Sequence, residues 1–170
     1  ASDVVLLKLV GVNPVIVHGG GPEITAFMER LGLPVEFYDG QRVTTDEAMD
    51  VVKMVLVGKV NKELVSAINH HGRLALGVSG EDGNLLTATM RDPKLGRVGR
   101  ITDVDTTIID NLIEDGFIPV VASIAGGDDG AYNVNADLVA GELASALAAD
   151  KVIFLTDVDG LYEDVADPST

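Results

Sequence analysis

The chain has no cysteine, so neither a disulfide framework nor a thiolate metal site is available, an absence compatible with a cytosolic setting. Positive charge is scarce: 12 Lys and Arg stand against 27 Asp and Glu, a formal charge of −15. Such a surface repels nucleic acid and anionic membranes at long range, so neither is expected as a partner, and any bound anion must be held by local donors. Long apolar runs are missing too. Apolar residues make up 46% of the chain but are broken by charges throughout, so no run reaches the ~18 residues a membrane-spanning helix needs. The N-terminus lacks the basic-then-apolar order of a signal peptide. His18, His70 and His71 make no spaced metal set, and no metal site is expected. There are no repeats, low-complexity tracts or clear linkers. What remains is a globular protein of 170 residues, expected in the cytoplasm, one domain by size and able to bury roughly 70% of its unfolded surface. Its opening on Ala1 rather than Met, and its end in the loop Asp167-Pro-Ser-Thr170, point to a segment of a longer protein.

What the chain does have is one organising stretch, Asn13-Pro-Val-Ile-Val-His-Gly-Gly-Gly-Pro-Glu-Ile-Thr-Ala-Phe-Met-Glu-Arg-Leu-Gly32. Residues 14–17 are a short apolar, β-branched run, and Pro22 suits the first position of a helix, where no amide hydrogen is missed. Ile24, Phe27, Met28 and Leu31 then recur at helical spacing. Gly19, Gly20 and Gly21 therefore fall where a strand hands over to a helix N-terminus. Lacking β-carbons, they let a ligand approach the backbone, and their amides converge on negative charge that the helix dipole also favours. A plain tight turn is the ordinary alternative, but no ordinary turn requires three glycines in a row. The triplet is neither GxGxxG nor a Walker loop, which leaves open whether the anion is a phosphate or a carboxylate.

Along the rest of the chain, Asp3 is placed to cap a mostly buried helix over residues 3–10 that Gly11 ends. Residues 35–43 alternate around Asp39-Gly40, a strong hairpin signal, with Arg42 near the turn. Thr45 caps a helix to about Val57, and residues 59–70 form a second helix joined to it. A strand over 74–78 precedes an antiparallel pair at 85–90 and 98–104. Residues 106–114 are helical and 118–124 are a buried strand. The loop of residues 126–130 and the Asn133-Val-Asn-Ala-Asp137 cluster lead into an alanine-rich helix to Ala148. Residues 152–156 then form another buried strand entering Asp157-Val-Asp-Gly-Leu161. This succession predicts a three-layer α/β sandwich with ligands gathered beyond the carboxyl ends of a central, mostly parallel sheet. Three such ends carry polar clusters: His18 to Gly21, Ser123 to Asp137, and Thr156 to Gly160.

Each candidate has a plain reading beside a functional one. Arg42 is either a solvated hairpin charge or a fork for a carboxylate. Asn133, Asn135 and Asp137 are either helix caps, for which one residue suffices, or parts of a site. Asp157, Asp159 and Gly160 are either a strand-end turn or a nucleotide loop, and Asp128-Asp129 reads as a solvated turn.

Taken together, Val15-Ile-Val-His-Gly-Gly-Gly-Pro22, Asp39-Gly-Gln-Arg-Val-Thr44, Met54-Val-Leu-Val-Gly-Lys-Val-Asn61, Ser79-Gly-Glu-Asp82, Tyr132-Asn-Val-Asn-Ala-Asp137 and Leu155-Thr-Asp-Val-Asp-Gly-Leu161 resemble, in this order, the acetylglutamate kinase branch of the amino acid kinase family. The resemblance implies the amino acid kinase (carbamate kinase-like) fold, incomplete in this chain. Residues 1–150 would be the acid-substrate lobe and residues 151–170 the start of a nucleotide-binding lobe. It implies phosphorylation of the side-chain carboxylate of N-acetyl-L-glutamate by ATP with Mg2+, an early step of arginine biosynthesis, by direct transfer without a phosphoenzyme. Gly19 and Gly20 resemble the family's backbone donors to substrate and transferred phosphoryl group, and Arg42 and Asn133 its acetylglutamate-binding side chains. Asp137 resembles the aspartate that organises two catalytic lysines. Thr156, Asp157, Val158, Asp159, Gly160 and Leu161 resemble part of the ATP site, and a homodimer through the acid-substrate lobe is implied. The family's lysines, one in a Lys-x-Gly-Gly strand ahead of Ala1 and one beyond Thr170, are not in this chain, and Lys8 does not stand in for the first. A non-catalytic module that binds a small acid is therefore the second reading. A Rossmann dehydrogenase, lacking its GxGxxG, is a distant third.

Overall fold

The structure, a computed structural model, describes residues 1–156. In α1 (Ser2–Leu9), Asp3 in the first turn and Lys8 in the last both suit the helix dipole, and Gly11 at φ 91° follows its end. After β1 (Ile16–His18) comes α2 (Gly21–Arg30), entered through Gly20 with Pro22 in its first turn. β2 (Phe37–Tyr38) and β3 (Gln41–Arg42) form the expected hairpin. Asp39 at φ 49° and Gly40 at φ 72° both adopt the left-handed conformation of a two-residue I′ turn. Thr45 caps α3 (Asp46–Lys53), its hydroxyl accepting the Ala48 amide at 3.1 Å. A π-helical stretch, Met54–Val60, leads into α4 (Asn61–Asn69). Next come β4 (Ala75–Ser79) and the antiparallel pair of β5 (Leu86–Met90) and β6 (Gly99–Val104). After them are α5 (Thr107–Glu114), β7 (Ile118–Ala122), the short pair of β8 (Ile124–Ala125) and β9 (Tyr132–Asn133), and α6 (Ala136–Ala146).

β1, β7 and β4 make a parallel sheet in the order β1-β7-β4. β7 is buried at every position, as an inner strand covered on both faces must be. Its register aligns Val17, Val121 and Val78 on one face and Ile16, Val120 and Gly77 on the other. The first face packs against α5 and α6 through Ile109, Val139 and Leu143, and the second against α4 and α1 through Ile68 and Val5. Helices thus cover both faces, giving the expected three layers. A further cluster, Ile24 and Met28 of α2 with Val51, Val52, Val55 and Leu56, lies against Ala122 and Ile124 at the carboxyl end of β7. Burial of each large side chain contributes about 1.5–3 kcal/mol, so this cluster anchors α2 and α3 where the site is built.

Four details depart from the sequence expectations. α1 is mostly exposed, with Leu6 59%, Leu9 74% and Val10 68% accessible, because only Val5 and Val4 reach the sheet side of α4. Its N-cap is Ala1, without a side-chain cap, and not Asp3. The helices around Gly58 are one continuous helix: residues 53, 54, 60 and 61 all hold helical angles, and the π-helical stretch absorbs the junction. Residues 152–156 form no strand, and Ile153 and Leu155 are 70% and 94% accessible. A β-branched run becomes a strand only when another strand supplies hydrogen bonds and a packed face, and among the described residues none does so here.

Candidate active site

The carboxyl ends of β1 and β7, neighbours in the sheet, open onto a cavity of about 270 Å3 lined by Gly19, Gly20, Gly21, Arg42, Asn133 and Asp137, with Ile24, Phe37, Leu56 and Val98 as apolar walls. This volume is near the ~300 Å3 lower end of ligand pockets, a size that suits a small acid better than a nucleotide. Two of the three polar strand ends expected from the sequence therefore meet. Of the third, Thr156 is exposed, and Asp157, Val158, Asp159, Gly160 and Leu161 lie outside the described residues.

Arg42 and Asn133, far apart in the chain, face one cavity because the backbone zips their strands together. Thr44 N donates to Leu95 O, Arg97 N to Thr44 O at 2.6 Å, and Asn133 N to Arg97 O at 2.8 Å. Asn133 Nδ2 then donates to Thr44 Oγ1 at 3.3 Å, whose hydroxyl donates to Arg42 O at 3.2 Å. Arg97 braces this array from outside, paired with Asp46 at 2.5 Å and Asp129 at 3.1 Å and lying over the Tyr132 ring. Those carboxylates hold Arg97 above the usual guanidinium range, and Tyr132, which donates to Asp129 at 2.7 Å, keeps the Asp129 carboxyl below its usual range.

Arg42 is buried, at 8% exposure, rather than solvated. Nη2 donates to Gly21 O at 3.0 Å and Thr25 Oγ1 at 2.6 Å, Nη1 points at Met28 Sδ at 3.7 Å, and the guanidinium stacks 4.9 Å from the Phe37 ring. Burial lowers its pKa, but a guanidinium stays charged in proteins. Of five N–H donors, two serve oxygen and one a weakly accepting thioether, which leaves donors for an acid arriving in the cavity.

The glycine loop faces this guanidinium. A β-carbon on Gly20 would stand 2.8 Å from Leu56 Cδ2 and 3.2 Å from Val60 Cγ2, whereas one on Gly21 would meet nothing within 4 Å. Close packing on the π-helical stretch therefore favours glycine at position 20, since a methyl there would have to displace the Leu56 side chain or the loop. The Gly20 carbonyl accepts from Ile24 N at 2.9 Å, while its N–H meets no acceptor among the described residues. Opposite, Asn135 caps α6 by accepting from Asp137 N and Leu138 N, so the capping work falls to one asparagine and Asn133 is left to the cavity. The Asp137 side chain is exposed and makes no ion pair with a described residue. No group of three His, Asp or Glu side chains among the described residues is placed to hold a metal.

The model of the amino acid kinase family matches residues 1–169. The chain belongs to the amino acid kinase family. It is 53% identical to the acetylglutamate kinase of Caldanaerobacter subterraneus over 99% of its own length and 58% of that protein's. It is 54% identical to the chloroplastic acetylglutamate kinase of Arabidopsis thaliana over 99% of its own length and 50% of the relative's. The crystal structure of smu.665 from Streptococcus mutans superposes with a TM-score of 0.90 at 33% identity, covering 96% of this chain and 67% of that one. The chain thus spans between half and three fifths of the curated relatives it matches.

Within this amino acid kinase fold, Gly19, Gly20, Arg42, Asn133 and Asp137 line one cavity. Sequence reasoning gave no site role to Thr44 or Asn61, and weighed His18 only within the polar strand end His18 to Gly21 and as a metal ligand. Thr44 is fully buried and bridges Arg42 and Asn133. Asn61 is fully buried beneath the glycine loop, donating to His18 and to Val120 O. Its signal was present: Asn61 lies on the apolar stripe of α4 with Leu64 and Ile68, where a polar residue is out of place.

Proposed function

We propose that the full-length protein catalyses the ATP-dependent phosphorylation of the side-chain carboxylate of N-acetyl-L-glutamate, a step of arginine biosynthesis. The observation that carries this reading is that Arg42, Asn133 and Gly20, whose amide meets no acceptor among the described residues, line one small cavity at the carboxyl ends of β1 and β7. Arg42 binds a carboxylate of the acid, Asn133 orients it, and Gly19 and Gly20 meet the reacting oxygens with backbone N–H groups. Phosphoryl transfer asks little more of a protein than in-line placement and neutralisation of charge. Asp137 orients lysines contributed from outside this chain. Residues 1–150 act as the acid-substrate lobe, and Thr156 to Leu161 belong to the nucleotide lobe that begins at residue 151. Mg2+ comes with the phosphates of ATP and screens their charge, since the described residues offer no resident metal site. Support comes from relatives named acetylglutamate kinase at 53% and 54% identity. A homodimer through the acid-substrate lobe is part of the proposal, with the apolar stripes of the helix over residues 46–69 available to serve it, and light scattering that finds a monomer at micromolar concentration removes it.

The test is direct: purified full-length protein with N-acetyl-L-glutamate and ATP is expected to form ADP, and glutamate without the acetyl group is expected to be a poor acceptor. Acid binding by calorimetry with no ADP formation would favour the non-catalytic binding module instead. The backbone role of the loop has its own test. Gly20→Ala drives a methyl against Leu56, so the Leu56 side chain or the loop must shift. The expected result is a fall of about tenfold or more in kcat/KM, with a loss of about 1–3 kcal/mol in urea unfolding. Gly21→Ala, with open space around it, is the matched control expected to change little.

A further inference from the structure

His18 and Asn61 form a buried polar network that the proposed reaction does not by itself require. His18 Nδ1 lies 2.9 Å from Gly19 O, and Nε2 lies 3.1 Å from Asn61 Nδ2. A carbonyl oxygen only accepts, so Nδ1 carries the proton. Asn61 Nδ2 is also 2.9 Å from Val120 O. Since that carbonyl too only accepts, this end of Asn61 is the amino group, and Nε2 must accept from it. The ring is therefore neutral with its proton on Nδ1. Burial agrees, pushing the His18 imidazole below its usual range against a smaller opposing pull from the Gly19 carbonyl.

The sheet is shaped around this asparagine. A β-carbon on Gly77 would stand 1.8 Å from Asn61 Oδ1, and Asn61 itself is fully buried. Polar groups in a core are costly unless fully satisfied, and satisfied networks fix one arrangement. The arrangement fixed here is that of a peptide plane. Gly19 C=O and Gly20 N–H belong to the same trans peptide and point in opposite directions, and no peptide bond among the described residues is cis. A donor on Gly19 O therefore determines where Gly20 N–H is aimed, and Gly20 lines the cavity.

We infer that His18 is a positioning residue that aims the Gly20 amide into the cavity by holding the Gly19 carbonyl, and that Asn61 selects the tautomer this requires. The inference rests on the anion-binding reading of the cavity, and two measurements on the full-length protein separate it from the choice of substrate. Long-range proton–nitrogen spectra of histidine-labelled wild type are expected to show His18 as the neutral Nδ1–H tautomer, and an Nε2–H majority would overturn the inference. This readout needs no substrate and no variant that might misfold. His18→Asn retains an amide donor near the Nδ1 position, whereas His18→Gln places its head group near Nε2 and leaves Gly19 O without a donor. Kinetics with N-acetyl-L-glutamate are expected to show kcat/KM about tenfold lower in His18→Gln, the scale of one net hydrogen bond, with His18→Asn retaining most of the wild-type value. Equal losses in the two variants would assign His18 a packing role and overturn the inference. If wild type neither binds nor phosphorylates acetylglutamate, the substrate reading fails alone, and the tautomer decides the positioning role.

Discussion

Arg42→Ala in the full-length protein is expected to raise the KM for N-acetyl-L-glutamate about a hundredfold, ~2.7 kcal/mol, with a smaller fall in kcat. A hydrogen bond to a charged group is worth about 1.5–3 kcal/mol, and among the described residues Arg42 is the cation that lines the cavity. Its position is preorganised, because Gly21 O and Thr25 Oγ1 hold one end and the Phe37 ring covers one side. The thioether of Met28 is the contact most readily exchanged for a substrate oxygen. Truncation also frees the β2–β3 hairpin from α2, so urea unfolding should show a concurrent loss of about 1–2 kcal/mol. Arg42→Lys separates charge from geometry. It keeps the cation but cannot hold Gly21 O, Thr25 and a carboxylate together, so it should recover only part of the affinity. An unchanged KM in Arg42→Ala would remove the carboxylate-binding role.

Asp137→Asn should act on the other kinetic parameter. In the full-length enzyme kcat is expected to fall by about two orders of magnitude, the usual scale for losing one preorganised charge near a transition state, while the KM for the acid changes little. Stability should change by no more than about 0.5–1 kcal/mol, because Asn135 rather than Asp137 caps α6 and the exposed carboxylate contributes only through the helix dipole. The 170-residue chain alone should behave oppositely. Without lysines around it, the Asp137 carboxylate repels an incoming anion, so Asp137→Asn should tighten acetylglutamate binding several-fold at low salt, an effect that fades as salt is added. Calorimetry at two ionic strengths reads this directly. Weaker binding by the substituted chain would show that Asp137 helps hold the substrate and would overturn its role in orienting lysines.

Much of this protein is legible in the local chemistry of its residues. The Asp39-Gly40 turn, the Thr45 cap, Pro22 at the start of α2 and Gly116 after α5 depend on backbone rules acting over a few residues. Their elements appear where those rules put them. The strand-to-helix glycine loop is legible for the same reason, as is its place at a strand's carboxyl end. Residues 152–156 are not legible, since a strand exists only in partnership and β-branched composition cannot name the partner. Nor is the exposure of α1, whose apolar residues do not record which of them find the sheet. By itself, then, the sequence determined the parallel α/β architecture, the strand-to-helix glycine turn and the polar residues placed beyond the strand ends. Only the tertiary structure decided that Arg42 is buried and held, that Thr44 ties it to Asn133, and that Gly20 packs closely on Leu56. It also revealed that Asn61 reaches through the space left by Gly77 to His18. These contacts join segments distant in the chain, and their geometry depends on sheet register and side-chain packing, which no local pattern of residues encodes.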